Sequence, residues 1–381
     1  MEKQPDLVPL PVNSCHSIRE SFDADPSGRN LPEEALAALH HWFLENRRSF
    51  PWRDSPTPYR VWISEVMLQQ TRASVVIPYF ERWMRLFPDP ASLAAASLEE
   101  VIKAWEGLGY YSRARHLHEG ARQIVRHLGG KIPSQREILE KIKGLGPYTT
   151  NAILSFAFHQ KTAPVDGNTA RVIARHFLVE EDVQRQSTKK QIQQLADSML
   201  DSKKPWITAE ALIELGATIC QPRPLCDLCP LSGTCRALKE MRVEELPVKA
   251  KAAPLTPLTR SVAVIEEGDS LLLRRGAPGK VMADLFEFPY FEGLARPLPH
   301  HLQTLWGLET SFIRSLPFVK HSFTRFQAHL FPIHLRASER KAIPDYEWIH
   351  LDHLHELPFS SGHRKILESF LSRNNPQLVL F

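Results

Sequence analysis

Ile142-Lys143-Gly144-Leu145-Gly146-Pro147-Tyr148-Thr149-Thr150 is the stretch on which the fold of this chain turns. A helical pattern carried by Ile138, Leu139 and Ile142 stops at Lys143, and Pro147 is a favoured first residue for the helix that follows. Two glycines between them permit a positive φ and remove side chains from the turn. Exposed amides and a new helix N-terminus then suit a phosphate group. This is the pattern of a helix–hairpin–helix, which grips a DNA backbone without reading its bases. An ordinary helical turn would carry the same glycines, so the neighbourhood must discriminate. Residues 103–143 hold nine Lys and Arg (103, 113, 115, 122, 126, 131, 136, 141 and 143) against four Glu. Such cations supply most of the sequence-independent affinity for DNA; the alternative is a solvated basic face.

Working outward, the 381 residues suffice for two or three domains, each with its own core. A 43% hydrophobic and 24% charged composition is that of a globular chain, not a disordered one. The formal charge of +4 is too small to announce a nucleic-acid partner, so only local charge speaks to that. No run reaches the roughly 18 apolar residues needed to span a bilayer. Glu2, Lys3 and Asp6 open the chain without a signal-like apolar stretch, and an intracellular protein is expected.

Residues 1–30 contain Pro, Ser, Asn, Asp and Gly with no periodic apolar face and read as a mobile tail. From Leu31 to Lys239 the pattern is helical, with Ala35, Leu36, Leu39, Trp42 and Phe43 at three- and four-residue spacing. Prolines 51, 56, 58, 88, 133 and 147 punctuate it. Residues 244–254, charged and proline-containing, read as a linker without a core face. Beyond Arg260 the texture changes. Ser261–Ile265 and Leu271–Leu273 flank a Gly268-Asp269 turn as a hairpin, a further strand covers Ala328–Leu335, and His363–Leu371 closes the chain as a helix.

Three further features carry chemistry. Cys220, Cys226, Cys229 and Cys235 fall within sixteen residues. In a reducing compartment that spacing suits a tetrahedral zinc or a four-iron cluster, and ligand type alone does not choose. On a helix, Trp62, Glu65 and Gln69 share one stripe. A lone carboxylate among apolar and amide neighbours keeps its proton and can donate it; an exposed glutamate on an amphipathic face is the plainer reading. In Val165-Asp166-Gly167-Asn168-Thr169, Asp166 or Asn168 is a natural helix cap. Facing Glu65, Asp166 would instead complete the carboxylate pair that cleaves glycosidic bonds.

Together with Gly107-Leu108-Gly109-Tyr110-Tyr111-Ser112-Arg113, these segments resemble the helix–hairpin–helix DNA glycosylases, and among them the MutY-type adenine DNA glycosylases, from Leu31 to about Phe370. The resemblance implies a multi-domain chain. Residues 52–157 would form a six-helix barrel lobe, 31–51 with 158–239 an iron–sulfur lobe, 240–259 a linker, and 260–375 a small α/β Nudix-like domain. The last includes Leu285-Phe286-Glu287-Phe288-Pro289 but no Nudix catalytic box.

Residue by residue, the resemblance makes Glu65 the general acid at adenine N7 and Asp166 the carboxylate that stabilises or captures the sugar cation. Asn168 orients them. Tyr148 stands where lyase-competent relatives place a lysine, which implies a monofunctional glycosylase. Leu68, Gln70 and Thr71 enter the gap left by the flipped base, and Tyr110 is a wedge. Gly144, Gly146, Thr149 and Arg53 contact DNA, and Phe323-Thr324-Arg325 aligns with a Phe-Ser-His mismatch-recognition motif. The four cysteines hold a [4Fe–4S] cluster, although five residues separate Cys220 from Cys226 where the family has six.

The expected partner is duplex DNA containing adenine opposite 8-oxoguanine or guanine. The protein is expected to be a monomer in the cytoplasm, associated with the nucleoid, with no membrane. The rival readings are an endonuclease III-like glycosylase of other base specificity, against which Tyr148 counts, and a non-catalytic damage-binding module, which would not need both Glu65 and Asp166.

Overall fold

The computed structural model describes residues 31–250, 254–277, 279, 282–293, 297–323 and 325–374. The expected tail and the hydroxyl of Thr324 lie outside the described residues. Two compact units are present: Met1–Val66 with Ile132–Lys251, and Met67–Lys131 with Ala252–Phe381.

The described elements of the first unit are helical. They include Glu33–Asn46, most of Pro58–Leu68, Pro147–Ala152, Gly167–Phe177, Gln186–Ser198 and Pro205–Thr218. Leu39, Phe43, Trp62, Ile63, Ile173 and Leu212 are buried, as apolar positions recurring on one helical face require. A short helix, Arg136–Leu139, leads into the expected hairpin, and Pro147 is indeed the first residue of the next helix. The two glycines do different work. Gly144 takes a φ of 86°, closed to most side chains, whereas Gly146 has an ordinary φ of −84°. A Cβ on Gly146 would meet nothing within 4 Å, so what its absence provides is clearance in front of the helix N-terminus.

Two expectations change. The helix bearing Glu65 ends at Leu68, and Gln70 takes a φ of 58°, so Gln69 leaves the Trp62–Glu65 stripe for a turn. The stretch taken as a linker without a core face carries buried Leu246, which packs with Ala237 and Val243. Its carbonyl accepts from Arg175 Nε at 2.9 Å, so side chains spaced too irregularly to show a period still find a core.

The second unit pairs the helices Ala73–Leu86, Pro90–Ala95, Leu98–Ala104 and Ser112–Leu128 with a strand-rich region. Its strands are β1 (Thr256–Glu267), β2 (Ser270–Arg275), β3 (Phe286–Glu287), β4 (Tyr290–Glu292), β5 (Thr310–Ser315), β6 (Val319–Phe323), β7 (Phe326–Ala337) and β8 (Glu347–His350). The expected hairpin is β1–β2, with Glu267 opposite Ser270. The long β1 and β7 run parallel, from Thr256 beside Phe326 to Glu266 beside Arg336. Alternation sends Val262, Val264 and Leu330 to one face and Ala263, Ile265 and Leu335 to the other. The helix Ser361–Asn374 places Ile366, Leu367 and Phe370 on the first face, and Leu298–Trp306 places Leu298 and Leu302 on the second. Both faces are covered, which is why strands 262–265 and 271–273 read as unbroken apolar runs.

Candidate active site

Glu65 sits in the first unit with 7% of its surface exposed. Tyr148, brought in by the first turn of the helix after the hairpin, donates its hydroxyl to Glu65 Oε2 at 2.6 Å. Burial raises the Glu65 carboxyl to about 7; the Tyr148 hydrogen bond opposes this, and the like charge of Asp166 adds to it. Tyr148 is held well above its ordinary range by burial and by both carboxylates, so it remains a donor. With Oε2 engaged, Oε1 is the oxygen that can carry a transferable proton.

Asp166 is a helix cap whose charge is felt at Glu65. It caps the helix Gly167–Phe177, with Oδ1 accepting from the amides of Asn168 at 2.9 Å and Thr169 at 2.7 Å. Its other oxygen accepts from Asn168 Nδ2 at 3.0 Å. The cap therefore fixes the carboxylate's direction. Asn168 is held in turn by Arg171, whose Nη2 donates to Asn168 Oδ1 at 2.8 Å and to Gly216 O at 2.7 Å, while its Nε reaches Cys220 O at 2.7 Å. A Cβ on Gly216 would come within 2.8 Å of Asn168, so only glycine allows the helices Gly167–Phe177 and Pro205–Thr218 to approach this closely.

Arg53 is ion-paired within the first unit. Its guanidinium reaches Glu214 at 3.0 Å and Glu210 at 3.5 Å, and donates to Arg48 O at 3.0 Å. Glu214 is fully buried and is also paired with Arg48 at 2.5 Å. Arg53 lowers the Glu65 carboxyl slightly and Glu210 raises it. This cluster sets the local charge behind the acid, and sequence pattern could not reveal it because its members are about 160 residues apart. Thr149 likewise differs from a side-chain contact: it is 1% exposed. It lies in the first turn of the helix Pro147–Ala152.

The four cysteines border one cavity together with His176 and Leu231. Arg175 Nη1 donates to Cys220 Sγ at 3.4 Å. Burial, with three neighbouring cysteines, pushes the Cys229 thiol up to about 12, an environment that welcomes a cationic guest. Among the described residues, no three His, Cys, Asp or Glu side chains converge as ligands of a single ion.

Leu68, Gln70, Thr71 and Tyr110 belong to the second unit. Gln70 and Tyr110 both adopt positive φ, 58° and 50°, and Tyr110 is 49% exposed. Their two loops are joined by Arg113, which donates to the carbonyls of Met67 (3.1 Å), Gln69 (2.7 Å), Leu108 (3.1 Å) and Gly109 (3.1 Å). Arg113 had been counted among the cations of a basic face; it is 8% exposed, and desolvation lowers its pKa to about 10. Lys103 and Arg115 are also committed, to Glu106 and Asp284. At the β6–β7 turn, Phe323 stacks on His321 at 5.6 Å, and Arg325 lies over Phe326 at 5.1 Å. Phe323 is thus presented by strand pairing, with Arg260 5.8 Å from its ring.

Comparison with known proteins places the HhH-GPD superfamily base excision DNA repair protein family over residues 63–198 and a NUDIX domain over residues 261–369. The human adenine DNA glycosylase is 32% identical over 438 aligned positions, covering 97% of this chain and 79% of that protein. The rat adenine DNA glycosylase is 41% identical over 246, covering 62% of this chain and 46% of its own length, so the chain spans about half of that relative. Among solved structures, a thermostable thymine-DNA glycosylase superposes with a TM-score of 0.50 at 28% identity, covering 54% of this chain and 95% of the other. No described helix is long and apolar enough to cross a membrane.

Proposed function

Since the chain belongs to the adenine DNA glycosylases, a family of DNA N-glycosylases, we propose that it hydrolyses the N-glycosidic bond of adenine mispaired with 8-oxoguanine or guanine in duplex DNA. The observation that carries this reading is Glu65: a buried carboxyl raised to about 7, fixed by Tyr148 and electrically coupled to Asp166. Adenine extruded from the stack receives the Glu65 proton at N7. The C–N bond breaks and its electrons leave with the base. Asp166, oriented by its cap and by Asn168, stabilises the sugar cation or traps it covalently. Glu65, now a base, then assists water, and an abasic site remains. No lysine at position 148 offers a Schiff base, which supports a monofunctional enzyme. Gln70 and Tyr110 would fill and prop the gap, the amides behind Gly144 and Gly146 would hold a phosphate, and Phe323-Thr324-Arg325 would read the opposite base.

Cys220, Cys226, Cys229 and Cys235 would hold a [4Fe–4S] cluster, which supplies structural cross-linking of the loop 220–235. Four thiols bordering one cavity support a metal centre there. Purified protein is expected to be brown, with about four iron atoms per chain. Colourless protein loaded with zinc would overturn the assignment. We further place the enzyme in the cytoplasm, on the nucleoid, as a monomer.

Single-turnover release of adenine from duplexes bearing A opposite 8-oxoguanine, G or C tests the function. Release from the first two and not the third is expected. Absence of release from all three removes the reading, and release of a pyrimidine instead would install the endonuclease III-like alternative.

A further inference from the structure

Glu106 takes no part in the chemistry above, yet both of its carboxylate oxygens are engaged by partners from two parts of the second unit. It directly precedes the loop Gly107–Tyr110, and its side chain is 15% exposed. Oε1 accepts from the Phe359 amide at 2.9 Å and from Arg364 Nε at 2.7 Å, and Oε2 accepts from Lys103 at 2.8 Å. Lys103 and Arg364 both also donate to Leu357 O, at 3.1 and 2.6 Å. The other end of the loop is tied to the same segment. Tyr111 donates its hydroxyl to Phe359 O at 3.2 Å and accepts from the Gly107 amide at 3.2 Å.

The loop between these anchors has little slack. Gly107 has a φ of 100°, and a Cβ there would collide with the Tyr79 hydroxyl, which itself donates to Glu106 O at 2.9 Å. Segment 357–364 in turn opens the helix that packs on the mismatch-facing hairpin. A Cβ on Gly362 would stand 3.1 Å from His321 Cγ, and His321 stacks on Phe323. One contiguous set of contacts therefore runs from Phe323 through His321 and the start of Ser361–Asn374 to Glu106 and the loop bearing Tyr110.

We propose that Glu106 is a positioning residue through which the C-terminal domain sets the Tyr110 loop, so that the base opposite adenine governs how readily adenine is extruded. This rests on the proposed roles of Tyr110 and Phe323-Thr324-Arg325. The physical requirement is a two-state element biased from both ends. The Glu106 carboxylate supplies it, because withdrawal of the segment 357–364 takes away Arg364 and the Phe359 amide and leaves Glu106 with Lys103 alone.

The test uses the full chain and its variants Glu106→Ala, Arg364→Met and the double substitution. Single-turnover rates and 2-aminopurine fluorescence, which reports base extrusion, are measured opposite 8-oxoguanine and opposite guanine. Each single variant is expected to shrink the 8-oxoguanine-to-guanine rate ratio about tenfold, and the double variant no further, since both remove one connection. Extrusion opposite 8-oxoguanine should slow to the guanine rate, while iron content and melting temperature of the cluster-bearing unit stay unchanged. Should Glu106→Ala not fold, Glu106→Gln, which keeps the shape and one acceptor, is read in the same way. An unchanged ratio in folded variants overturns the proposal, as does a wild-type protein with no preference between the two bases. Wild-type protein that releases no adenine at all strikes the proposed function instead.

Discussion

Glu65→Gln lowers the single-turnover rate of adenine release by about 10²- to 10⁴-fold, the contribution of a positioned general acid, while duplex affinity is retained. The amide keeps an oxygen for the Tyr148 hydroxyl, which lies 2.6 Å from the carboxylate, but it has no proton to give. The wild-type pH profile carries the same information. With its carboxyl raised to about 7 chiefly by burial, Glu65 is protonated below that value, so the rate holds on the acidic side and falls about tenfold per pH unit above it. A profile whose alkaline limb starts near the ordinary carboxylate range, or a Gln variant that turns over normally, would remove Glu65 as the acid.

The same raised value has a stability consequence of the same sense. In the unfolded chain the group titrates near 4.5, so between 4.5 and about 7 the folded state binds the extra proton. Wild-type stability is therefore complete below 4.5 and declines as pH rises through about 7, by an amount on the order of 3 kcal/mol. Glu65→Gln carries no such titration. Its melting temperature should match or trail the wild type at pH 5 and exceed it at pH 8. Parallel melting curves across that range would mean that the carboxyl is not desolvated as the structure has it.

Asp166 is the second position of large effect, and its two roles separate cleanly. Asp166→Ala removes both the charge and the cap, costing about 1 kcal/mol of stability and about 10²- to 10³-fold in rate, the scale of a lost electrostatic stabiliser. Asp166→Ser restores an acceptor for the Asn168 and Thr169 amides that now bind Oδ1, so stability should return while activity does not. Activity that recovers with serine would reduce Asp166 to a helix cap.

Much of this was legible in the residues because it rests on local rules. The hairpin at 142–150, the boundary of texture near 260, and the β1–β2 hairpin around Gly268-Asp269 follow from turn chemistry and periodicity, which act over a few residues. Asp166 as a cap is likewise local. Gln69 was misplaced by one element because a helix pattern does not reveal where the last turn frays.

Other assignments depend on which distant groups meet. Whether Glu65 titrates near 4.5 or about 7 is decided by burial and by Tyr148 and Asp166, 83 and 101 positions away in the chain. Arg113 counts among the local cations by composition, and the resemblance makes Arg53 a DNA contact; tertiary packing pairs Arg53 with Glu210 and Glu214 and sinks Arg113 among four carbonyls. Glu106 is one more charged residue until Phe359 and Arg364 arrive beside it. By itself the sequence determined the elements, the chemistry-bearing residue types and their family; the tertiary structure alone decided which charges are desolvated or paired. The physical reason is that turns and caps respond to neighbours along the chain, whereas an ionisable group responds to everything within a few ångströms, and that company is assembled only on folding.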